Sequence, residues 1–347
     1  MDLKKLDTIL TDFPKFRLKQ AYQALFEQFI ENWEEVTVFP KDLRARLVEE
    51  ISLEVPAKIS KSIDGTIKAL VSLHDGKLVE TVLMRHADGR NSVCVSSQAG
   101  CPMGCTFCAT GDMGFFRNLT AGEIVMQVLL FSRILKKEEQ RVSNVIFMGM
   151  GEPLYNYDEV LKTVEILNKE CGIAARHISL STCGIVDGIK KLTKEPYQVN
   201  LAISLHAPND EMRNKIMPVN KNYNVDTLLK TVADYLKETN RKVMIEYLLI
   251  GEINDSVETA QELASVLKKY LGSLFIVNVI PYNPTGRFTP PSRATVEKFK
   301  EVLESRGVVV TQRFTFGQEI DGACGQLAIK GVKGVSKGRS LQKGAKS

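Results

Sequence analysis

The chain has 347 residues, 44% of them hydrophobic and 25% charged, a composition suited to one large globular domain or to a large and a small one. No stretch approaches the roughly 18 uninterrupted apolar residues of a membrane span, and the opening MDLKKLDTIL lacks the apolar run of a secretory leader, so the expected location is cytoplasmic. The formal net charge is +5, yet Lys330–Ser347 holds six Lys or Arg and no acid, which leaves the rest of the chain slightly acidic and excludes a broadly basic body as the means of binding nucleic acid.

In chain order, residues 1–62 carry apolar positions at helical spacing over Arg17–Trp33 and Asp42–Glu54, which predicts a small helical accessory domain. Thr66–Leu73 and Leu78–Met84 alternate on either side of His74-Asp75-Gly76-Lys77. An Asp-Gly pair in that position predicts a hairpin, so residues 63–91 read as a hairpin linker. From residue 92, short apolar runs alternate with longer helical patterns. The runs are Ser92–Ser97, Asn144–Met148, His177–Ser181, Gln198–Leu205, Lys242–Ile250, Leu274–Ile280 and Val308–Thr311. The helical patterns are Thr120–Leu135, Tyr157–Lys169, Asn224–Glu238, Ser256–Tyr270 and Ala294–Ser305. Such alternation predicts an α/β fold, a partial or full (β/α) barrel over residues 92–328, with ligands gathered at the C-terminal ends of its strands. Residues 329–347, rich in Gly, Ser and Lys, read as a disordered basic tail able to touch phosphates.

The seven cysteines are an odd number, which disfavours a disulfide framework. Three of them form Cys101-Pro-Met-Gly-Cys105-Thr-Phe-Cys108, just after the first barrel strand. Three thiolates on one loop can hold three corners of an iron-sulfur cube. The fourth iron is then open to a small chelating ligand, and the amino and carboxylate groups of S-adenosylmethionine (SAM) are such a ligand. The alternatives are core cysteines or zinc, although structural zinc takes four closed ligands. Met148-Gly-Met-Gly151-Glu152-Pro153 also ends a strand; its glycines let backbone approach a ligand, and Glu152 can accept hydrogen bonds from an amino group. Ser181, then Ser204-Leu205-His206, then Asn283 end further strands. Each could be a cap or a turn, but together they ring the face that carries the cysteine loop. Cys324 lies between Gly322 and Gly325 in what reads as an exposed, flexible loop. Cys94 lies on the first barrel strand, and Cys171 and Cys183 read as structural.

These residues resemble the RlmN/Cfr family of radical SAM RNA methyltransferases over most of the chain, to about Ala328. The shared motifs are Val-Glu80-Thr-Val, Cys94-Val-Ser-Ser-Gln, the cysteine loop, Arg117-Asn-Leu-Thr, Gly149-Met-Gly-Glu-Pro, Ser204-Leu-His-Ala-Pro and Ala323-Cys324-Gly-Gln-Leu. The resemblance implies that Cys101, Cys105 and Cys108 ligate a [4Fe-4S] cluster and that Gly151, Glu152, Ser181, Ser204, Leu205, His206 and Asn283 contact SAM. It also implies that Cys324 is methylated by one SAM. A 5′-deoxyadenosyl radical from a second SAM then takes a hydrogen from that methyl group, and the carbon adds to an adenine. Cys94 attacks the Cys324 sulfur to release the product and leave a transient disulfide, and Glu80 removes the ring proton. Such a route suits an electrophilic ring carbon, which an electrophilic SAM methyl group cannot attack directly. The implied substrates are adenosines of large-subunit rRNA and of tRNA beside the anticodon, unstacked or flipped out. The implied partner is a flavodoxin-like or other reductant, and the chain is expected to act as a monomer.

The chain departs from the RlmN branch after Arg313, where Phe314-Thr-Phe316-Gly317 replaces basic residues and resembles the Cfr branch. Gly322 stands where Ala is usual, and Gln318-Glu319 where two acids are usual. Glu152-Pro153 is RlmN-like. Methylation at C2 is the preferred reading. A Cfr-like C8 rRNA methyltransferase is the alternative, and a non-catalytic iron-sulfur or zinc RNA-binding protein is an alternative of another class.

Overall fold

A computed structural model describes residues 1–329; the basic tail expected over residues 329–347 lies, beyond its first residue, outside the described residues. Three helices open the chain: α1 (Leu3–Thr11), α2 (Phe16–Phe26) and α3 (Lys41–Glu50). They enclose Leu6, Leu25, Phe26, Trp33, Leu43 and Leu47, and the Trp33 indole N–H donates to the Ile51 carbonyl at 2.9 Å. The helix expected over 17–33 ends at Phe26. Phe29 takes a left-handed φ of 54°, and Asn32 starts a separate 3-10 turn by capping Glu34 and exchanging hydrogen bonds with Glu35. A side chain that bonds nearby backbone in this way competes with helix continuation.

The strands are β1 (Ala57–Lys61), β2 (Ile67–Ser72), β3 (Leu78–Arg85), β4 (Asn91–Cys94), β5 (Gln98–Gly100), β6 (Phe115–Asn118), β7 (Asn144–Phe147), β8 (Ile178–Thr182), β9 (Asn200–Ser204), β10 (Val243–Leu249), β11 (Phe275–Pro281) and β12 (Val310–Gln312). Ten of them form one sheet in the order β1-β2-β3-β4-β7-β8-β9-β10-β11-β12, and β5 pairs with β6 in a small ribbon. From β4 to β12 every neighbour is parallel. The helices between these strands are α4 (Ala121–Lys136), α5 (Tyr157–Lys169), α6 (Val186–Leu192), α7 (Asp210–Ile216), α8 (Val225–Thr239), α9 (Val257–Leu271) and α10 (Arg293–Ser305). The ends of the sheet, β1 and β12, do not pair with each other, so the barrel is partial. Residues 63–91, expected as a linker, instead extend its wall: β3 pairs antiparallel with β4, Val82 opposite Cys94.

Helix α4 explains how the N-terminal helices attach. Ala121, Val125 and Leu129, with Ile166 of α5, complete the N-terminal core, while Ile124, Val128, Phe131 and Leu135 face the barrel. A helix buried on both sides loses the one-sided apolar stripe of a surface helix, hence its nearly continuous apolar sequence.

Two features position the functional rim. Gln127 of α4 reaches the loop after Cys94, accepting from the Ser96 N–H at 2.8 Å and donating to the Ser96 carbonyl at 2.9 Å. The segment after β12 crosses back to the first hairpin. There Asp64 accepts from Gly317 N–H at 2.9 Å, and Glu319 accepts from the Ser62 hydroxyl and Ile63 N–H, both at 2.7 Å. Replacing Gln127 by Leu keeps its bulk but leaves a buried N–H and C=O unpaired, so Gln127→Leu is expected to cost about 1–3 kcal/mol. Urea unfolding of the two proteins measures this; equal midpoints would show that the bonds to Ser96 contribute nothing.

Candidate functional site

The cysteine loop leaves β5 through Gly100, whose φ is +75° and where a Cβ would lie 2.0 Å from the Gly114 carbonyl oxygen; only glycine fits. The loop then curls so that the Cys108 N–H donates to the Cys105 carbonyl at 3.2 Å, and the Thr106 N–H is held by the Ile216 carbonyl at 3.0 Å. Cys101, Cys105 and Cys108 thereby line one cavity together with Gly151, Glu152, Ser181, Ser204, His206 and Cys324. Residues predicted from five separate strand ends and loops thus meet at the C-terminal rim of the sheet.

Burial pushes the Cys101 thiol up to about 12 and the Cys105 thiol well above its usual value; charges on neighbouring cysteines add to this, and Arg213 opposes it at Cys105. Buried thiols of this kind surrender their protons only to a cationic partner. Among the described residues no three His, Cys, Asp or Glu side chains are arranged to hold a single metal ion. Three thiols around a cavity, with a buried guanidinium beside them, fit the core of an iron-sulfur cluster.

Glu152 is 3% exposed. Its carboxylate accepts from Leu154 N–H at 3.0 Å and Cys183 N–H at 2.8 Å. Burial raises its pKa, and these backbone donors counter that. Gly151, at φ +103°, presses against Gln98 so closely that a Cβ would lie 2.6 Å from the Gln98 Cβ, and the Gln98 side chain accepts from Glu152 N–H at 2.8 Å. His206 holds a left-handed φ of 60°, rare for a residue with a Cβ. Its Nδ1 accepts from Leu248 N–H at 3.0 Å, and burial, followed by the charge of Arg213, lowers its pKa to about 3. The ring is therefore neutral, with Nε2 as its N–H donor. It meets Phe107 of the cysteine loop edge to face, centroids 5.1 Å apart. Ser181 and Ser204 hydroxyls lie 3.3 Å apart.

A second cavity adjoins the first. Cys94, Asn283, Phe314 and Phe316 line it, and Met148, Arg313 and Cys324 line both. Burial raises both Cys94, to about 12, and Cys324; at each, Arg313 is the positive charge that opposes burial. Its guanidinium donates to the Met148 sulfur at 2.7 Å. Nearby Glu246 is buried, with one carboxylate oxygen accepting from Asn278 at 2.8 Å and the other without a partner among the described residues.

Three expected SAM or catalytic residues are placed differently from the rest. Leu205 is core, and its carbonyl accepts from Arg213 Nε at 3.1 Å. Asn283 lines the second cavity and donates to the Cys324 carbonyl at 3.1 Å. Glu80 lines neither cavity; it pairs with Lys68 at 2.9 Å and accepts from Ala328 N–H at 2.8 Å, with burial raising its pKa. The expected flexible loop at Cys324 is in fact pinned. Ala109 N–H donates to the Gly325 carbonyl at 2.8 Å, and the Thr110 hydroxyl to the Leu327 carbonyl at 2.5 Å.

Sequence reasoning gave no role to Arg213, Glu246 and Arg313, and read Cys183 as structural although it lines the first cavity. Fully buried Arg213 spans the ends of β8 and β9, donating to the carbonyls of Cys183 at 2.6 Å and Ser204 at 3.3 Å. A lone arginine in a seven-residue helix carries no signal of such a position.

Comparison with known proteins agrees with this geometry. The Radical SAM superfamily pattern matches residues 95–264. A curated relative from Streptococcus suis, "Probable dual-specificity RNA methyltransferase RlmN", is 44% identical over 92% of this chain and 88% of its own length. One of the same name from Dictyoglomus thermophilum is 43% identical over 94% of both chains. Among solved structures, a radical SAM methyltransferase from Sphaerobacter thermophilus superposes with a TM-score of 0.88 at 41% identity, covering 94% of this chain and 97% of that one.

The lowered pKa of His206 predicts a pH effect. Between about pH 3 and 6.5 the unfolded chain binds a proton at this residue that the folded chain does not, so stability falls as the pH drops through that window. From pH 6.5 to about pH 5 the loss from this residue is about 2 kcal/mol. Denaturation of wild type and His206→Gln across that range checks it: the variant's curve should be flatter by this amount, and parallel curves would reject the assignment.

Proposed function

The chain belongs to the RlmN family of radical SAM RNA methyltransferases, and on that premise we propose that it methylates C2 of an adenosine in large-subunit rRNA and in tRNA by way of a carbon carried on Cys324. It is a SAM-dependent RNA methyltransferase that uses a [4Fe-4S] cluster. In this reading Cys101, Cys105 and Cys108 hold the cluster, which when bound supplies the electron that cleaves SAM. Glu152 accepts from the SAM amino group, and its carboxylate is already oriented by two backbone donors. Ser181 and Ser204 offer paired hydroxyls to the ribose, and neutral His206 offers an N–H. Leu205 and Asn283 act from behind the cavity wall, Leu205 through its backbone and Asn283 by holding the Cys324 carbonyl.

One observation carries the reading: Cys324 lines both cavities, with the cluster cysteines on one side and Cys94 on the other. A sulfur in that position can take up a methyl group from the SAM side and present it to a base on the Cys94 side. Release then balances as follows. Once the carbon has added, the ring adduct must give up one electron, which the cluster would take back. The Cys94 thiolate attacks the Cys324 sulfur, and the sulfur–carbon bond breaks with its electron pair going to the carbon. The ring proton passes by way of Glu80 to that carbon to complete the methyl group, and a Cys94–Cys324 disulfide remains for an external thiol to reduce. Glu80 meets the base once its tether to Ala328 opens, and its burial favours holding the proton. Arg313 stabilises each thiolate in turn. A flavodoxin-like or other reductant serves the cluster, the chain works as a monomer in the cytoplasm, and no helix among the described residues is long and apolar enough to cross a membrane.

The test is product analysis on the anaerobically reconstituted full chain with SAM, reductant and rRNA or tRNA fragments. The expected product is 2-methyladenosine, absent with Cys324→Ala although that variant keeps its cluster absorbance. With Cys94→Ala, release fails and RNA stays covalently attached at Cys324, visible as a shifted band on a denaturing gel. Formation of 8-methyladenosine would overturn the C2 assignment, and SAM cleavage without any methylated base would reject the RNA reading.

A further inference from the structure

The residue that follows Arg313 has no place in the relay just described. Phe314 is 81% exposed, the most exposed aromatic side chain among the described residues. It makes no ring–ring or cation–ring contact among them, whereas Phe316, two residues on, packs edge to face against His86 at 5.0 Å. Phe316 is thus accounted for by packing and Phe314 is not. Its position is specific. It lines the cavity of Cys94 and Cys324 on one side and, on the other, an outer hollow formed by Pro281, Pro291, Val296, Arg293 and Lys300. The ring is a ridge at the mouth of the reactive cavity. Lys300 is engaged with Glu297 and Gln312, but Arg293 is exposed and has no carboxylate partner among the described residues.

We propose that Phe314 is the stacking platform for the target adenine, holding one face of the base as it enters the cavity between Cys94 and Cys324, with Arg293 beside it for the RNA backbone. This rests on the RNA reading of the preceding subsection. An adenine that must leave its stack to reach a protein sulfur loses its neighbours' π-faces, and proteins replace them with aromatic rings. An exposed ring bordering the cavity, with an unpaired guanidinium nearby, matches both halves of such a ligand, the flat base and its phosphate. Other exposed apolar residues, such as Ile63 and Val38, border neither cavity.

The experiment compares wild type with Phe314→Ala, Phe314→Leu and Phe314→Trp as full-length reconstituted enzymes, since an exposed residue can be changed without disturbing the core. Loss of one base-stacking contact predicts that Phe314→Ala loses about tenfold or more in kcat/KM for RNA. Cleavage of SAM in the absence of RNA stays unchanged, because the first cavity is intact. Phe314→Trp should restore the rate and Phe314→Leu should not. As a direct readout, an RNA with 2-aminopurine at the target position should be quenched when bound to wild type or the Trp variant, and bright on the Ala variant. Equal rates for Leu and wild type, or quenching that is indifferent to residue 314, would overturn the stacking role while leaving RNA methylation standing. A wild type that methylates no RNA would overturn the preceding reading and this one with it.

Discussion

The carboxylates of Asp64 and Glu319 tie the chain after β12 to the first hairpin, across the gap between the unpaired edges β1 and β12. The barrel does not close by strand pairing, so this strap takes the place of the missing ladder. Because it is a loop and not a strand, it can carry a side chain inward at a point the pleat would not reach. Cys324 is that side chain. Its carbonyl is fixed by Asn283, and the residues after it are fixed by the cysteine loop through Ala109 and Thr110. The same strap that spans the opening therefore sets the distance between Cys101, Cys105 and Cys108 and the sulfur that divides the two cavities.

Two arginines govern the electrostatics of those cavities. Arg213 lies beneath the first, holding the ends of β8 and β9 and facing Cys105 and Cys183. Arg313 lies between Cys94, Cys324 and Glu246. In a site this enclosed every thiolate is costly, and a fixed guanidinium is the cheapest way to make one available without admitting water. The neutral state of His206 fits the same constraint: burial disfavours its charge, the nearby charge of Arg213 adds repulsion, and the imidazole gives up its proton.

Much of this was legible in the sequence because strand ends were. Apolar runs of five to nine residues marked, to within one residue, where β7 to β11 stop, and in a parallel sheet the residues after those stops share one rim. Hence the sequence alone groups Glu152, Ser181, Ser204 and His206 with the cysteine loop. What escaped shares a different character. Arg213 sits on a short helix whose pattern is too brief to read, Glu246 lies inside a strand where a lone acid looks like an exposed position, and β1, with mostly exposed side chains, shows no alternation. Asn283 was placed on the correct rim but on the far side of Cys324, because sequence reveals that a residue ends a strand and not which of two adjoining hollows it meets. The pinned Cys loop was misread because its glycines signal conformational freedom, whereas its hydrogen bonds come from residues more than 200 positions away.

The choice between carbon positions on adenine belongs to neither arginine nor cysteine. C2 and C8 lie at opposite ends of the flat purine, in its six- and five-membered rings, and a sulfur-borne carbon can meet either end with the same relay behind it. The selecting element must therefore be whatever fixes the rotation of the base in its own plane and the direction from which its ribose leaves. Among the described residues, Phe314, Thr315 and Phe316 line the second cavity in one continuous segment. That segment is also where the sequence departs from the branch it otherwise follows. A stacking ring alone leaves in-plane rotation free, so discrimination requires polar contact to the base edge. A hydroxyl in this segment is that of Thr315, bonded to Asn283. With Phe314 as the stacking ring, the angle of the base within its plane is thus a matter separate from both the stack and the sulfur relay.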